Sequence, residues 1–293
     1  MKTLSIHKKI AYSAPAFALA VVGIPVYVYL PKFYTDVVGV HISALGVILL
    51  LVRLFDAVTD PAIGLISDRI QTPWGRRRPF ILGGAVFTAI AIILLFNPPD
   101  VGSDAATLWF LTLIFALFLF WTVVIVPYES LGPELTFDYD ERTTLFSMRD
   151  GALIAGTLVA AASPAAVKWL FSLPEGGAGE RETFFILSMV YTPLIILTAL
   201  WCVLAFREKI IDTGRRTENI FSRVRDSLQN RPFRILLISY TISAIGNNLP
   251  ATLILYYVEY VLHSPRADLY LLIYFVTGIL FLPMWVAGSA RVG

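Results

Sequence analysis

Eight apolar stretches, each long enough to cross a bilayer, follow one another along this chain and leave few other ways to fold it. A spanning helix needs about 20 mostly apolar residues. Such runs lie at Ile10–Leu30, Leu45–Ile66, Phe80–Phe96 and Leu108–Val126, and again at Leu145–Leu170, Phe184–Phe206, Ile235–Leu262 and Leu269–Ala287. The chain is 57% hydrophobic and 15% charged, whereas a soluble domain carries about 25% charged residues. The expected fold class is therefore an all-α polytopic membrane protein. The first run, behind Lys8 and Lys9, continues to Leu30. That exceeds the roughly 7–15 residues of a secretion-signal core, so it reads as a first span rather than a cleaved signal.

Basic residues in short loops set the orientation. One side collects Lys2, Lys8, Lys9, Arg69, Arg76, Arg77, Arg78, Arg142, Arg149 and the arginines of a polar stretch from Arg207 to Arg234. The other side holds Lys32, Lys168, Arg181 and Arg266. The N-terminus is expected in the cytoplasm of a cell whose plasma (inner) membrane holds the protein. The long basic stretch then divides the chain into a six-helix bundle at 1–206, a cytoplasmic linker at 207–234, and the first two helices of a second bundle at 235–293. Six helices, a linker and a new set of helices is the layout of a six-plus-six carrier. A weak internal repeat agrees with it, GIPVYVYLPKFYTDVV around Pro25 against NLPATLILYYVEYVL around Pro250, although interfacial aromatics explain part of that likeness.

The net charge of +2 gives no sign of a nucleic-acid partner. Cys202 is the one cysteine, and His7, His41 and His263 are too scattered for a metal-ligand spacing. Neither a nucleophile–base set nor a phosphate-binding glycine loop is present, since the GGAG at Gly176–Gly179 has no following lysine. The sequence thus offers no enzyme chemistry and asks for no cofactor.

What it does offer is charge inside a span. Arg53, Asp56, Asp60 and Gly64 recur three or four residues apart and share one helix face. Measured from Ser67, Asp56 lies about 16 Å and Asp60 about 10 Å along the helix, inside the hydrocarbon. Charges at that depth cost at least about 2.5–3.5 kcal/mol each and normally face a cavity, a partner or an ion. Two carboxylates one turn apart supply hard oxygens to Na⁺ or share a proton, and Thr59 stands beside them with a hydroxyl. The alternative is structural, with Arg53 simply neutralising Asp56, but two carboxylates against one arginine leave a charge over.

After this helix comes SDRIQTPWGRRRPF, Ser67–Phe80. It joins Asp68 at the helix end to a turn through Pro73 and Gly75, with Arg69, Arg76, Arg77 and Arg78 around it and Pro79 opening the next helix. Such a loop can exchange salt bridges with a neighbouring helix end as a carrier opens and closes; alone, it would be a topology anchor.

The whole stretch RLFDAVTDPAIGLISDRIQTPWGRRRPF resembles the glycoside–pentoside–hexuronide:cation symporters, melibiose-type carriers of the major facilitator superfamily. YTDVVG (Tyr34–Gly39), VPYESLGPEL (Val126–Leu135) and DYDERT (Asp138–Thr143) resemble the same family in the same order. The resemblance implies a major facilitator fold of two six-helix bundles with the sugar between them. It implies secondary active symport of a sugar or glycoside with Na⁺ or H⁺, the coupling ion held by Asp56 and Asp60 (the Na⁺ candidates) with Thr122 as a further ligand. A helix-five sugar-contacting arginine of the family falls near Arg149. The sequence also departs from the family. Sugar-binding aspartates of melibiose carriers fall at Ala20 and Ile125, and a stacking aromatic falls at Glu129, beside Tyr128. The galactoside set is therefore missing. Glu129 is open to a hydroxyl-binding or a gating role, and Tyr12 and Asn248 are further candidates to line a sugar site. For Asn247 and Asn248, helix–helix hydrogen bonding is an equal alternative.

The closing LPMWVAGSARVG resembles the start of the loop after the second span, GLISDRIQTPWG. The expectation is a carrier interrupted after its eighth helix, a monomer when full length, with lipid and sugar as its partners. A lipid or drug carrier on the same scaffold, or a fragment that transports nothing, are the competing readings.

Overall fold

A computed structural model describes residues 4–206 and 228–264, with isolated positions between 270 and 281. The first six apolar runs become six helices long enough to cross a membrane. These are α1 (Ile6–Val38), α2 (Ile42–Arg69), α3 (Arg78–Phe96), α4 (Ser103–Leu135), α5 (Tyr139–Leu170) and α6 (Gly177–Ala205). A seventh, α7, runs as a regular helix over Arg231–Tyr256 and continues as a wider turn over Tyr257–Val261, and corresponds to the run expected at Ile235–Leu262. The eighth expected span and most of the basic linker lie outside the described residues. No named strand occurs among the described residues.

Several helices outrun their apolar cores. α4 continues through the polar VPYESLGPEL with Pro127 and Pro133 inside it, and α5 starts before its apolar run because Asp138 caps it, accepting a bond from the Glu141 N–H at 2.9 Å. Apolarity sets what lies in the lipid; backbone hydrogen bonding and caps set where the helix ends.

In α1 the regular turn loosens twice, into wider turns at Pro25–Tyr29 and Tyr34–Val38. Pro25 has no N–H to give to the preceding turn, which accounts for the first. α1 then ends at Gly39, whose φ of 88° suits a residue without Cβ. α7 loosens in the same way at Tyr257–Val261, so the two segments of the expected repeat finish alike.

α1 is the most buried of the six helices, packed between α5 and α6, while α3 packs on α4 and α6, and α2 on α4. Small residues set how closely they approach. A Cβ on Gly156 of α5 would stand 2.8 Å from the Ala20 Cβ of α1, and one on Gly84 of α3 would stand 2.8 Å from Val124 of α4. Tyr34 ties this bundle together at one end, its hydroxyl donating to the Leu95 carbonyl at 2.9 Å and its ring 4.5 Å from that of Phe110. By contrast α2 leaves Leu50, Leu54 and Val58 exposed, an apolar stripe that suits lipid or a further helix rather than water.

Candidate functional site

The charged face of α2 meets α4 and the middle of α1. Thr122 of α4, buried, donates its hydroxyl to Asp60 Oδ1 at 2.8 Å. One turn away, Asp56 receives Arg53 Nη1 on Oδ2 at 3.3 Å. Its other oxygen, Oδ1, is buried and has no hydrogen-bond partner among the described residues. The Thr59 hydroxyl is turned back onto its own helix, donating to the Phe55 carbonyl at 3.1 Å. Its oxygen lone pairs can still accept or ligate. The structure therefore brings Asp56, Asp60 and Thr122 to one α2–α4 seam, with Thr59 at its edge. An oxygen-rich seam with an unmatched carboxylate oxygen suits a small hard cation or a proton.

Two residues that sequence alone does not single out complete this region. The Arg53 guanidinium lies 4.8 Å from the ring centroid of Tyr27 on α1 and 4.8 Å from that of Phe118 on α4. Only a three-dimensional arrangement could reveal them, since their helices carry aromatics at many positions.

The candidate sugar residues fall into two sets. Tyr12 and Tyr128 are both buried and stack on each other, centroids 5.1 Å apart. The Tyr128 hydroxyl donates to the Tyr12 carbonyl at 2.6 Å. The Tyr12 hydroxyl fills the space above Gly132, where a side chain at that position would stand. These tyrosines meet each other in the α1–α4 seam, and neither opens to the outside of the bundle. Glu129 and Asp150 are exposed, and Arg149 is half-buried. Arg149 donates from Nε and Nη2 to Asp150 Oδ1 at 2.9 and 2.8 Å and stands 4.9 Å over the Phe146 ring. Asp150 is thus a partner of Arg149 that no motif in the sequence marks. Asn248 belongs to α7, but its side chain lies outside the described residues.

The turn after α2 is held by paired bonds between Thr72 and Gly75, the Gly75 N–H donating to the Thr72 carbonyl at 3.0 Å. Gly75 has a φ of 115°, which excludes most side chains. Both neighbouring arginines converge on Glu134 at the end of α4, Arg76 at 2.6 Å and Arg77 at 3.0 Å, and Arg77 also reaches Asp68 at 3.3 Å and the Ser130 carbonyl. Arg78 bonds the Trp74 carbonyl at 3.0 Å, and Arg69 is exposed in the last turn of α2. The helix end that these arginines grip is α4, through Glu134, which lies within VPYESLGPEL but has no distinguishing pattern of its own.

At the opposite end of the bundle, α1 and α7 touch. Lys32 bridges Asp36 of its own helix at 3.1 Å and Glu259 of α7 at 2.5 Å. The Thr35 and Tyr256 hydroxyls lie 3.2 Å apart, and the Tyr260 hydroxyl donates to Asp36 at 3.3 Å. Asp36 and Glu259 both sit in the widened turns that end the two helices.

Known proteins share this chain's sequence along most of its length. It is 34% identical over 209 residues to an uncharacterised symporter of Synechocystis, covering 69% of this chain and 37% of that one. A symporter of Bacillus subtilis is 31% identical over 272 residues, covering 92% and 58%. The isoprimeverose transporter of Lactiplantibacillus pentosus is 25% identical over 260 residues, covering 88% and 53%. The chain thus spans about half the length of these relatives. The family described as MFS/sugar transport protein matches residues 11–293. With membrane-length helices, a carboxylate pair inside a span and this match over nearly its whole length, the chain belongs to the MFS/sugar transport protein family and, within it, groups with the glycoside–pentoside–hexuronide:cation symporters.

Proposed function

We propose that the chain forms the cation-binding half of a carrier that moves a sugar or glycoside by symport with Na⁺ or H⁺. The observation that carries this reading is the α2–α4 seam, where Asp60 is held by Thr122 while the buried Oδ1 of Asp56 has no partner among the described residues. A buried carboxylate oxygen without a partner is costly, and a coupling cation or proton supplies the missing interaction.

The sugar region follows from the same helices. Thr122 and Glu129 of α4 are two turns apart, about 10 Å along one face. A small rotation or tilt of α4 on loading the cation would therefore be felt at Glu129 and, through Tyr128 and Tyr12, at the Phe146 ring that meets Tyr12 edge-on at 6.4 Å and lies under Arg149. The exposed Glu129 and Asp150 and the edge of Arg149 offer acceptors and a donor to hydroxyls; the two tyrosines set the position of that edge. The name of the isoprimeverose transporter supports a sugar as cargo. In this reading the first bundle spans 1–206, the linker 207–234, and a second bundle begins at 235. The arginine-rich end lies in the cytoplasm, so the Lys32–Glu259 contact closes the outer side.

The test is uptake of a panel of labelled sugars, driven by an imposed Na⁺ or pH gradient, into cells expressing the carrier. One sugar should accumulate, and Asp60→Asn should remove at least about nine-tenths of the gradient-driven component. Accumulation that ignores both gradients, or that survives Asp60→Asn with its gradient dependence intact, would overturn the reading.

A further inference from the structure

Arg53 stands between two seats, and the coupling cation would compete for one of them. Its Nη1 is 3.3 Å from Asp56 Oδ2, longer than the roughly 2.7–2.9 Å of a strong charge-assisted bond. At the same time its guanidinium carbon is 4.8 Å from the centroids of both Tyr27 and Phe118, inside the distance at which an aromatic face attracts a cation. The two rings come from α1 and α4, and Tyr27 and Phe118 touch each other at 5.5 Å, so the aromatic seat exists whether or not Arg53 uses it. An arginine needed only to neutralise Asp56 requires no such seat.

We propose that Arg53 is a resident stand-in for the coupling cation. While Asp56 is unloaded, Arg53 holds its Oδ2; when a cation takes the carboxylate, like-charge repulsion moves the guanidinium fully onto Tyr27 and Phe118. Arg53 then sets how tightly the cation binds, by competing with it, and the two rings set how readily Arg53 gives way. This rests on the symport reading above. It adds a positioning residue, with its aromatic support, that acts through Asp56. The competition also supplies a reason for the pairing geometry. A short, buried Arg53–Asp56 bond would exclude the cation, whereas the half-exposed arginine seen here, with 49% of its side chain accessible, can be displaced at modest cost.

The two seats predict opposite shifts in one measured quantity, the concentration of the driving cation (Na⁺ or H⁺) that gives half-maximal uptake of the accumulated sugar. Arg53→Gln removes the competitor and should lower that concentration about tenfold. Phe118→Leu removes half of the aromatic seat, leaves Arg53 more firmly on Asp56, and should raise it about threefold. Arg53→Lys keeps the charge but loses the planar stack on the two rings, so it should raise that concentration in the same direction as Phe118→Leu. The amount of each variant in the membrane is measured alongside, so that poor folding shows as lost protein and not as a shifted constant. Shifts of the same sign for Arg53→Gln and Phe118→Leu, as general loosening of the seam would give, overturn the inference and leave symport standing. So do unchanged constants. Uptake in the unsubstituted carrier that depends on neither cation overturns the symport reading itself, and the inference with it.

Discussion

The two ends of the bundle carry ionic networks of similar size but different reach. At the arginine-rich end, Arg76 and Arg77 bind Glu134 and Asp68, and both of these carboxylates belong to the first six helices. Beside it, Glu141 of α5 accepts from Thr136 at 3.0 Å, lies 3.8 Å from Lys9, and takes the Leu4 N–H. At the other end, Lys32 crosses from α1 to Glu259 of α7, and so from the first bundle to the seventh helix. Of the two, the second reaches beyond the first six helices. The first network ties α2 and the turn after it to α4, and the second ties α1 to the wider turn that ends α7.

The largest effect should come from breaking the network at the arginine-rich end. Arg77 exposes 6% of its side chain and Arg76 16%. Glu134→Gln removes the nearer of the two carboxylates they share and leaves Asp68, itself 57% exposed. Removing one partner of a largely buried ion pair costs about 3–5 kcal/mol, and the remaining aspartate should hold the loss near the lower figure. Thermal unfolding of the purified carrier in detergent checks this. A midpoint within about a degree of the unsubstituted protein would mean that the arginine network is also dispensable to the fold, and the contrast with the Lys32 end would fail.

A smaller effect is expected at the turn that presents those arginines. Gly75 has a φ of 115°, and a Cβ there costs about 1–2 kcal/mol. Gly75→Ala should lower the same midpoint by less than Glu134→Gln does, and the two together should lower it by less than their sum, because a displaced turn no longer delivers both arginines to Glu134. Full additivity would show that the turn and the ion pairs act independently.

How far each region can be read from sequence follows from the same physics. Span length, loop charge and the Arg53–Asp56–Asp60 spacing are local properties, and they yield six helices and the α2 half of the carboxylate seam directly. Thr122 follows only from the family resemblance, since nothing near it in the chain distinguishes it from Thr88, another buried threonine in a neighbouring helix. Partners on other helices are harder still. Tyr27, Phe118, Asp150, Glu134 and Glu259 depend on how each helix is rotated about its axis. In a helix that is apolar nearly all round, no pattern records that rotation. The same lack of pattern hides that Tyr12 and Tyr128 stack in a closed seam, although their hydroxyls mark them as polar.

The smallest change in stability should accompany the Lys32 network, and there it is the conformation that should respond. Lys32 is 13% exposed, but its partner Glu259 is 43% exposed, so water screens the pair and its contribution to stability is under about 1 kcal/mol. Lys32→Gln should leave the thermal midpoint almost unmoved. It removes the cation between Asp36 and Glu259, however, and leaves two carboxylates facing each other across the junction of α1 and α7. That repulsion favours separation of the two ends, by an amount comparable to the small energy difference between two arrangements of a carrier. A cysteine placed at Thr35, beside Tyr256, should then react with a membrane-impermeant thiol reagent several-fold faster than in the carrier that keeps Lys32. Adding Glu259→Gln removes one of the repelling charges and should return the rate most of the way. If Lys32→Gln instead destabilises the protein as much as Glu134→Gln does, with labelling unchanged, both ends would be stitching of the same kind, and the α1–α7 contact would not be a place where the structure opens.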